Sequence, residues 1–175
     1  MNNNHIILLG MPGSGKKTQA LELQRQAGYN HISLQDTIDS RSSGNRNDSP
    51  HITHSYPDDI LSTSIESLIA GYNGSPLVLE GYPNNLMQAQ YLEGIIPNPI
   101  IMHLDVKKAL AVDRLIKEHE GNDSIIDIVN MKMQYYNDNT MTLIRWYRLK
   151  GKEYYRVDAN NPIDRVHQDI MRLIG

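Results

Sequence analysis

The sequence contains no cysteine, no phenylalanine and only one tryptophan. The absence of cysteine excludes disulfide bonds and thiolate metal sites. No apolar run approaches the roughly 20 residues of a transmembrane helix. The first nine residues have neither the basic segment nor the cleavage site of a signal peptide. We therefore expect a soluble, cytoplasmic protein that has no membrane partner.

A strong excess of one charge is also missing. Lys and Arg number 17 against 20 Asp and Glu, so the formal net charge is −3. A nucleic-acid-binding surface would add a basic excess, and we expect no nucleic-acid partner. Hydrophobic residues make up 39% of the 175 positions and charged residues 21%, which is typical of a globular protein. This length predicts a single domain, residues 1–175, with a core of its own.

A glycine-rich motif follows the first apolar run. Residues 6–9 are apolar, residues 10–18 read GMPGSGKKT, and residues 19–24 favour a helix. In that context glycines let backbone N–H groups turn towards a polyphosphate, and the helix N-terminus adds partial positive charge. A simple turn between strand and helix is the alternative, and the lysine argues against it. The motif predicts a P-loop in which the phosphates are held by Gly10, Gly13, Ser14, Gly15, Lys16, Lys17 and Thr18.

Apolar runs recur along the chain with helical spacing between them. That pattern is typical of a parallel sheet with helices on both faces. We predict strands at residues 5–9, 29–33, 77–80, 100–104 and 154–157. We predict helices at residues 16–27, 34–39, 58–72, 85–94, 106–118, 124–150 and 162–174.

Two further stretches have structural interpretations. Apolar side chains at helical spacing within residues 124–150 indicate a face that packs on the core rather than a cofactor site. Residues 40–57 are polar and rich in turn-forming residues, which predicts a mobile surface loop. His51 and His54 in that loop have the spacing of metal ligands. No acidic or cysteine partner accompanies them in sequence, so we interpret them as surface histidines.

The order of motifs resembles the adenylate kinase family over nearly the whole chain. The P-loop order Gly-x-Pro-Gly-x-Gly-Lys-x-Thr-Gln is followed by HISLQDTID at 31–39, YPDD at 56–59, LEGYPN at 79–84, QA at 88–89, HLDV at 103–106, DR at 113–114 and YRVDA at 155–159. The resemblance implies an α/β fold: a three-layer α/β/α P-loop NTPase fold with a five-stranded parallel sheet. It also implies a degenerate NMP-binding segment at about residues 34–72 and a reduced, vestigial lid at about residues 117–123.

By the same resemblance, the chain moves the ATP γ-phosphate to a nucleoside monophosphate with the help of Mg²⁺. The catalytic residues implied are Lys16, Arg114 and Lys132. ATP would be bound by the P-loop residues with Arg114 and Asn161, and the acceptor by Gly81, Tyr82 and Gln88. Glu80 stands where the family has an aspartate that holds the magnesium ion through water. A cap at the end of a strand is the alternative for Glu80.

The chain departs from the family mainly where the family has arginines. Asp39 and Asn84 replace two arginines that hold the acceptor's phosphate. Leu34 and Gln35 replace the threonine and glycine near the acceptor base. An acidic residue at contact distance from a phosphate costs roughly 1–4 kcal/mol. The segment that would bind the acceptor is therefore the most altered part of the chain.

The lid region is altered in the same way. Glu118 and Gly121 replace two further arginines, and the last catalytic arginine falls at or near Lys132, which lacks the bidentate fork. A single transition-state arginine is worth about 10³–10⁵ in rate, so we expect weak or altered activity. Lys17 replaces a family glycine, and two interpretations stay open: it adds charge at the phosphates, or it turns to solvent.

The residues leave two function classes open. The first is an enzyme, a nucleoside-monophosphate kinase with an altered acceptor. The second is a catalytically degraded nucleotide-binding module with a regulatory or structural role and a protein partner. A slow NTPase is a third interpretation, because a small lid admits water to the site.

Overall fold

The computed structural model describes residues 5–41, 57–118 and 124–175, and of residues 39–41 only the backbone. Outside the described residues lie Gly121, both histidines of the predicted loop, His51 and His54, and nearly all of that loop and of the reduced lid. Asp39 lies in a described helix, but its side chain is not described.

The described residues form one parallel sheet of five strands in the order β2-β3-β1-β4-β5. The strands are β1 (Ile6–Leu9), β2 (Asn30–Ser33), β3 (Leu77–Glu80), β4 (Ile100–Asp105) and β5 (Tyr154–Asp158). The helices are α1 (Lys16–Ala27), α2 (Leu34–Arg41), α3 (Asp58–Gly71), α4 (Leu86–Ile95), α5 (Lys108–Glu118), α6 (Ile125–Tyr135), α7 (Met141–Leu149) and α8 (Ile163–Ile174). The predicted α/β architecture with five parallel strands is confirmed.

The core has two halves, one on each face of the sheet. Successive side chains of β1 point to opposite faces because a strand has a period of two. Ile6 and Leu8 pack with α1, α5, α6 and α8, whereas Ile7 and Leu9 pack with α2, α3, α4 and α7. All four residues are buried, and each such side chain contributes roughly 1.5–3 kcal/mol to folding. This central strand therefore fixes the position of the loop that follows it.

One predicted element is divided. Residues 124–150 form α6 and α7 with a π-helical turn, Tyr136–Thr140, between them. A π turn admits one extra residue per turn, and such turns are common at functional sites. Tyr136 and Thr140 of this turn are both buried. All other predicted elements are present with ends within two residues of those predicted, and α2 continues to Arg41.

Among the described residues, no helix is both long enough and apolar enough to cross a bilayer.

Candidate functional site

Two cavities lie at the carboxyl ends of the central strands, where open α/β sheets bind ligands. We name the larger one, of about 750 Å³, the P-loop cavity. Its lining includes Gly13, Ser14, Gly15, Lys16, Lys17, Thr18, Gln19, Glu80, Arg114, Glu118, Lys132 and Asn161. We name the smaller one, of about 190 Å³, the inner cavity. Its lining includes Gly10, Lys16, Gly81, Pro83, Asn84, Lys132, Tyr135, Tyr136 and Thr140.

The loop after β1 needs glycine at two positions. Gly13 has a φ of +78°, and a Cβ there would lie 2.3 Å from the carbonyl oxygen of Ala111. Gly10 has a φ of +151°, and a Cβ there would lie 2.6 Å from the carbonyl oxygen of Leu104. Both contacts are to backbone, which does not move aside easily. The loop is therefore held tightly against β4 and α5.

The P-loop ends at the N-terminus of α1 without a side-chain cap. Gly15 occupies the N-cap position with a φ of +90°, and glycine has no side chain with which to cap the helix. The buried hydroxyl of Ser14 has no hydrogen-bond partner among the described residues. Free N–H groups at a helix N-terminus favour an anion. The loop, its glycines and this unpaired hydroxyl fit the phosphates of a nucleotide.

Lys16 folds back over the loop that precedes it. Its Nζ donates to the carbonyl oxygens of Gly10, at 2.8 Å, and Met11, at 3.1 Å. The pKa of Lys16 is lowered to about 8, mainly by burial and also by the charge of Lys132, while the charges of Glu80 and Glu118 oppose the shift. The charged form of Lys16 is stabilised when a polyanion binds, because the anion offsets the cost of burying the charge.

Arg114 and Lys132 bring positive charge from α5 and α6. The Arg114 guanidinium donates to the carbonyl oxygens of Gly13, at 3.3 Å, and Ala159, at 3.2 Å. It therefore joins the P-loop to the end of β5. Lys132 lines both cavities, and burial lowers the pKa of its ammonium group, with Glu118 opposing the shift.

Glu80 is the last residue of β3 and is buried, with its carboxylate lining the P-loop cavity. Burial alone would raise its pKa. The neighbouring His31 and Ser33 side chains and the charge of Lys16 outweigh that effect, so the pKa of Glu80 lies below its usual range. Oxygen donors such as this carboxylate and the Thr18 hydroxyl suit Mg²⁺, which is bound by few protein ligands together with phosphates and water.

Most of the predicted site residues come together. The P-loop cavity is lined by the predicted phosphate-binding and catalytic residues other than Gly10, and by Glu80 and Asn161. Gly10 lines the inner cavity, as does Gly81, which is predicted to bind the acceptor. The structure buries Tyr82 and Gln88 elsewhere. The Tyr82 hydroxyl donates to Ser62 Oγ at 2.8 Å, and Gln88 Nε2 donates to Asp58 Oδ1 at 2.6 Å. Neither lines either cavity, and their role in acceptor binding stays a prediction.

Lys17 lines the P-loop cavity but also pairs with an acidic residue of α2. Its Nζ lies 2.9 Å from Asp36 Oδ1, and both side chains are about 55% exposed. Neither of the two open interpretations included this ion pair. Exposed pairs of this kind contribute about 0–1 kcal/mol to stability.

Several cavity residues were absent from the predicted site. Tyr135, Tyr136 and Thr140 line the inner cavity. Gln19 lines the P-loop cavity, and its Oε1 is buried without a hydrogen-bond partner among the described residues. The two tyrosines and the threonine depend on the π turn, for which the sequence has no specific signal. Gln19 follows the P-loop threonine directly, so its position in the motif could have indicated it.

Comparison with known proteins gives one consistent result. The family model described as adenylate kinase matches residues 8–152. An adenylate kinase of Stenotrophomonas maltophilia is 30% identical over 187 residues, covering 97% of this chain and 98% of that protein. An adenylate kinase of Xylella fastidiosa is 31% identical over 195 residues, covering 97% of this chain and 98% of that protein. An adenylate kinase of Natronomonas pharaonis is 27% identical over 205 residues, covering 99% of this chain and 98% of that protein. The chain therefore belongs to the adenylate kinase family.

Proposed function

We propose that this protein binds ATP with Mg²⁺ in the P-loop cavity and transfers the γ-phosphoryl group to a nucleoside monophosphate in the inner cavity. Family membership supports a nucleotide-binding phosphotransferase. The observation that supports transfer is that Lys16 and Lys132 line both cavities. Two ammonium groups at the junction of a donor site and an acceptor site are suited to stabilise a phosphoryl group in transit.

Each remaining residue has a role that its position supports. Lys16 would bind the outer phosphates together with the P-loop N–H groups. Arg114 and Asn161 lie on the side of the P-loop cavity near the end of β5, where they would contact the ATP base. Glu80 and Thr18 would hold the magnesium ion, the carboxylate acting through water. When bound, Mg²⁺ would supply charge neutralisation at the phosphates.

The segment of about residues 34–72 stays the proposed NMP-binding segment, whereas the described lining of the inner cavity comes, besides β1 and the P-loop, from α6, from the π turn and from the turn after β3. Asn84 in that turn is neutral, and its backbone N–H donates to Gln88 Oε1 at 2.7 Å. Only six residues, 119–124, connect α5 to α6. A connection of six residues spans at most about 20 Å, which supports a reduced lid at about residues 117–123.

A second candidate function is nucleotide binding without transfer. Glu118 lines the P-loop cavity and is close enough to influence the pKa values of Lys16 and Lys132. A carboxylate there offsets part of the positive charge that the transferring group needs. This function would serve a regulatory role with a protein partner.

Turnover with a panel of acceptors tests the proposed function. The purified protein, Mg²⁺-ATP and each nucleoside monophosphate in turn are mixed, and ADP formation is followed beside the Lys16→Ala variant. We expect ADP formation that requires one monophosphate and is lost in the variant. Tight ATP binding without such turnover would favour the second candidate. No ATP binding would contradict both.

The low pKa of Lys16 gives ATP binding a definite pH dependence. Below pH 8 the ammonium group is already charged, so ATP affinity is insensitive to its titration. Above that pH the free protein loses the proton, whereas the phosphates raise the pKa in the complex. We expect proton uptake on binding and a Kd that rises up to about tenfold per pH unit.

Calorimetry checks this at about pH 8.5 in two buffers of different ionisation enthalpy. The difference in binding heat gives the number of protons taken up. Lys16→Ala, measured at high ATP concentration, should remove the uptake. Equal heats in both buffers for the unaltered protein would show that Lys16 is already fully charged before ATP binds.

A further inference from the structure

Three polar side chains surround the end of β3. Ser33 is the register partner of Glu80, and His31 precedes Ser33 by two residues. Residues two apart in a strand point to the same face of the sheet. His31, Ser33 and Glu80 therefore share one face. Glu80 lines the P-loop cavity, whereas His31 and Ser33 line a separate cavity of about 330 Å³.

His31 is buried and directed at Glu80. Its side chain is 6% exposed, and its Nε2 lies 3.7 Å from Glu80 Oε1. This nitrogen is buried and has no hydrogen-bond partner within the described residues. A buried polar atom without a partner is rare in native proteins. Glu80 Oε1 lies a few tenths of an ångström beyond hydrogen-bond distance, so a small shift of either side chain completes the contact.

Ser33, the last residue of β2, lies next to Glu80 in the sheet. Its Oγ accepts a hydrogen bond from the Asp36 N–H at 3.3 Å, which leaves the hydroxyl hydrogen free to donate. That hydroxyl and the charge of Lys16 both favour the ionised form of Glu80 and so lower its pKa. The end of β2 thus places an imidazole and a hydroxyl next to Glu80, which itself lines the P-loop cavity.

We propose that His31 is a positioning residue, which donates its Nε2–H to Glu80 Oε1 and so fixes the carboxylate towards the P-loop cavity. The inference rests on the proposed function, in which Glu80 helps to hold Mg²⁺. A glutamate has one more rotatable bond than the family's aspartate, so it loses more freedom when it is fixed. Partners behind a metal-binding carboxylate commonly supply that fixation.

The magnesium dependence of ATP binding tests this role without a need for turnover. The Kd of ATP is measured with Mg²⁺ and with EDTA, and the ratio of the two is the readout. We expect His31→Ala to reduce the Mg²⁺ enhancement by about tenfold and to leave the Kd in EDTA unchanged. His31→Gln keeps an N–H donor at a similar distance and should retain most of the enhancement.

His167→Ala is the matched control. His167 in α8 is also buried, both of its ring nitrogens lack hydrogen-bond partners in the described residues, and it does not line the P-loop cavity. We expect it to alter stability without altering the Mg²⁺ ratio. His31→Leu provides a second variant without a donor. In a Glu80→Gln background, removal of His31 should cause no further loss of the ratio.

The outcomes separate this inference from the proposed function. If Mg²⁺ has no effect on ATP binding in the unaltered protein, the magnesium role of Glu80 fails, and the inference fails with it. If Mg²⁺ strengthens binding equally in the unaltered protein and in His31→Ala or His31→Leu, only the positioning role is overturned. The positioning role is supported if His31→Ala reduces the Mg²⁺ enhancement and His31→Gln retains it.

Discussion

Replacement of Lys16 by alanine is expected to weaken ATP binding about 100-fold and to remove detectable phosphoryl transfer. The ammonium group lines both cavities and is partly buried beside the loop that would hold the phosphates. Loss of one partner from a buried, hydrogen-bonded charge pair costs about 3 kcal/mol, which is roughly 100-fold in Kd. Calorimetry or a fluorescent ATP analogue measures the change.

The fold should tolerate this substitution well. Burial lowers the pKa of Lys16, which means that the empty site destabilises its charged form. The carbonyl oxygens of Gly10 and Met11, which accept from Nζ, become accessible to water when the side chain is removed. We therefore expect a melting temperature close to that of the unaltered protein. A large drop would assign Lys16 a structural role and make the binding loss ambiguous.

Lys17→Ala is the matched control, since it removes the same charge from the next residue of α1. Lys17 already pairs with Asp36, and both groups are exposed. An exposed pair contributes about 0–1 kcal/mol, so we expect at most about a fivefold change in ATP affinity. If Lys17→Ala weakens binding as strongly as Lys16→Ala, Lys17 leaves Asp36 to bind the phosphates, and the two lysines share one role.

The architecture was predictable because it depends on local patterns. The apolar run of β1, the glycines after it and the helix-forming residues that follow are all neighbours in the chain. Together they define α1 over Lys16–Ala27, as predicted. The recurring apolar runs likewise indicated each strand of the parallel sheet. Glu80, which the motif placed at the end of a strand, lines the P-loop cavity, and its magnesium role stays a prediction.

The features that were not predicted depend on contacts between distant parts of the chain. The Lys17–Asp36 ion pair joins residues 19 positions apart, and Gln88 bonds to Asp58 across 30 positions. Motif matching alone could not show that the Gln88 amide already has protein partners. The π turn at Tyr136–Thr140 has the polar sequence YNDNT, which differs little from an ordinary exposed helical turn. Packing of α6 and α7 on the sheet decides that geometry.

Gly13→Ala is expected to destabilise the protein by about 3 kcal/mol or more. An alanine at a φ of +78° costs roughly 1–2 kcal/mol in strain alone. Its Cβ would also lie 2.3 Å from the Ala111 carbonyl oxygen, so either the P-loop or α5 has to move. In a protein of this size each kcal/mol lowers the melting temperature by about 2–4 °C, which gives a loss of roughly 6–12 °C.

Gly28→Ala separates the two causes of that loss. Gly28 follows α1 with a similar φ of +72°, but nothing lies within 4 Å of the added Cβ. This variant therefore experiences the strain without the clash, and we expect a loss of about 1–2 kcal/mol. Urea denaturation of both variants measures the difference. Equal losses of stability in the two variants would mean that α5 moves away from the added Cβ without a cost in free energy. A larger loss for Gly13→Ala, accompanied by weaker ATP binding, would show that close contact between the P-loop and α5 keeps the phosphate-binding loop in shape.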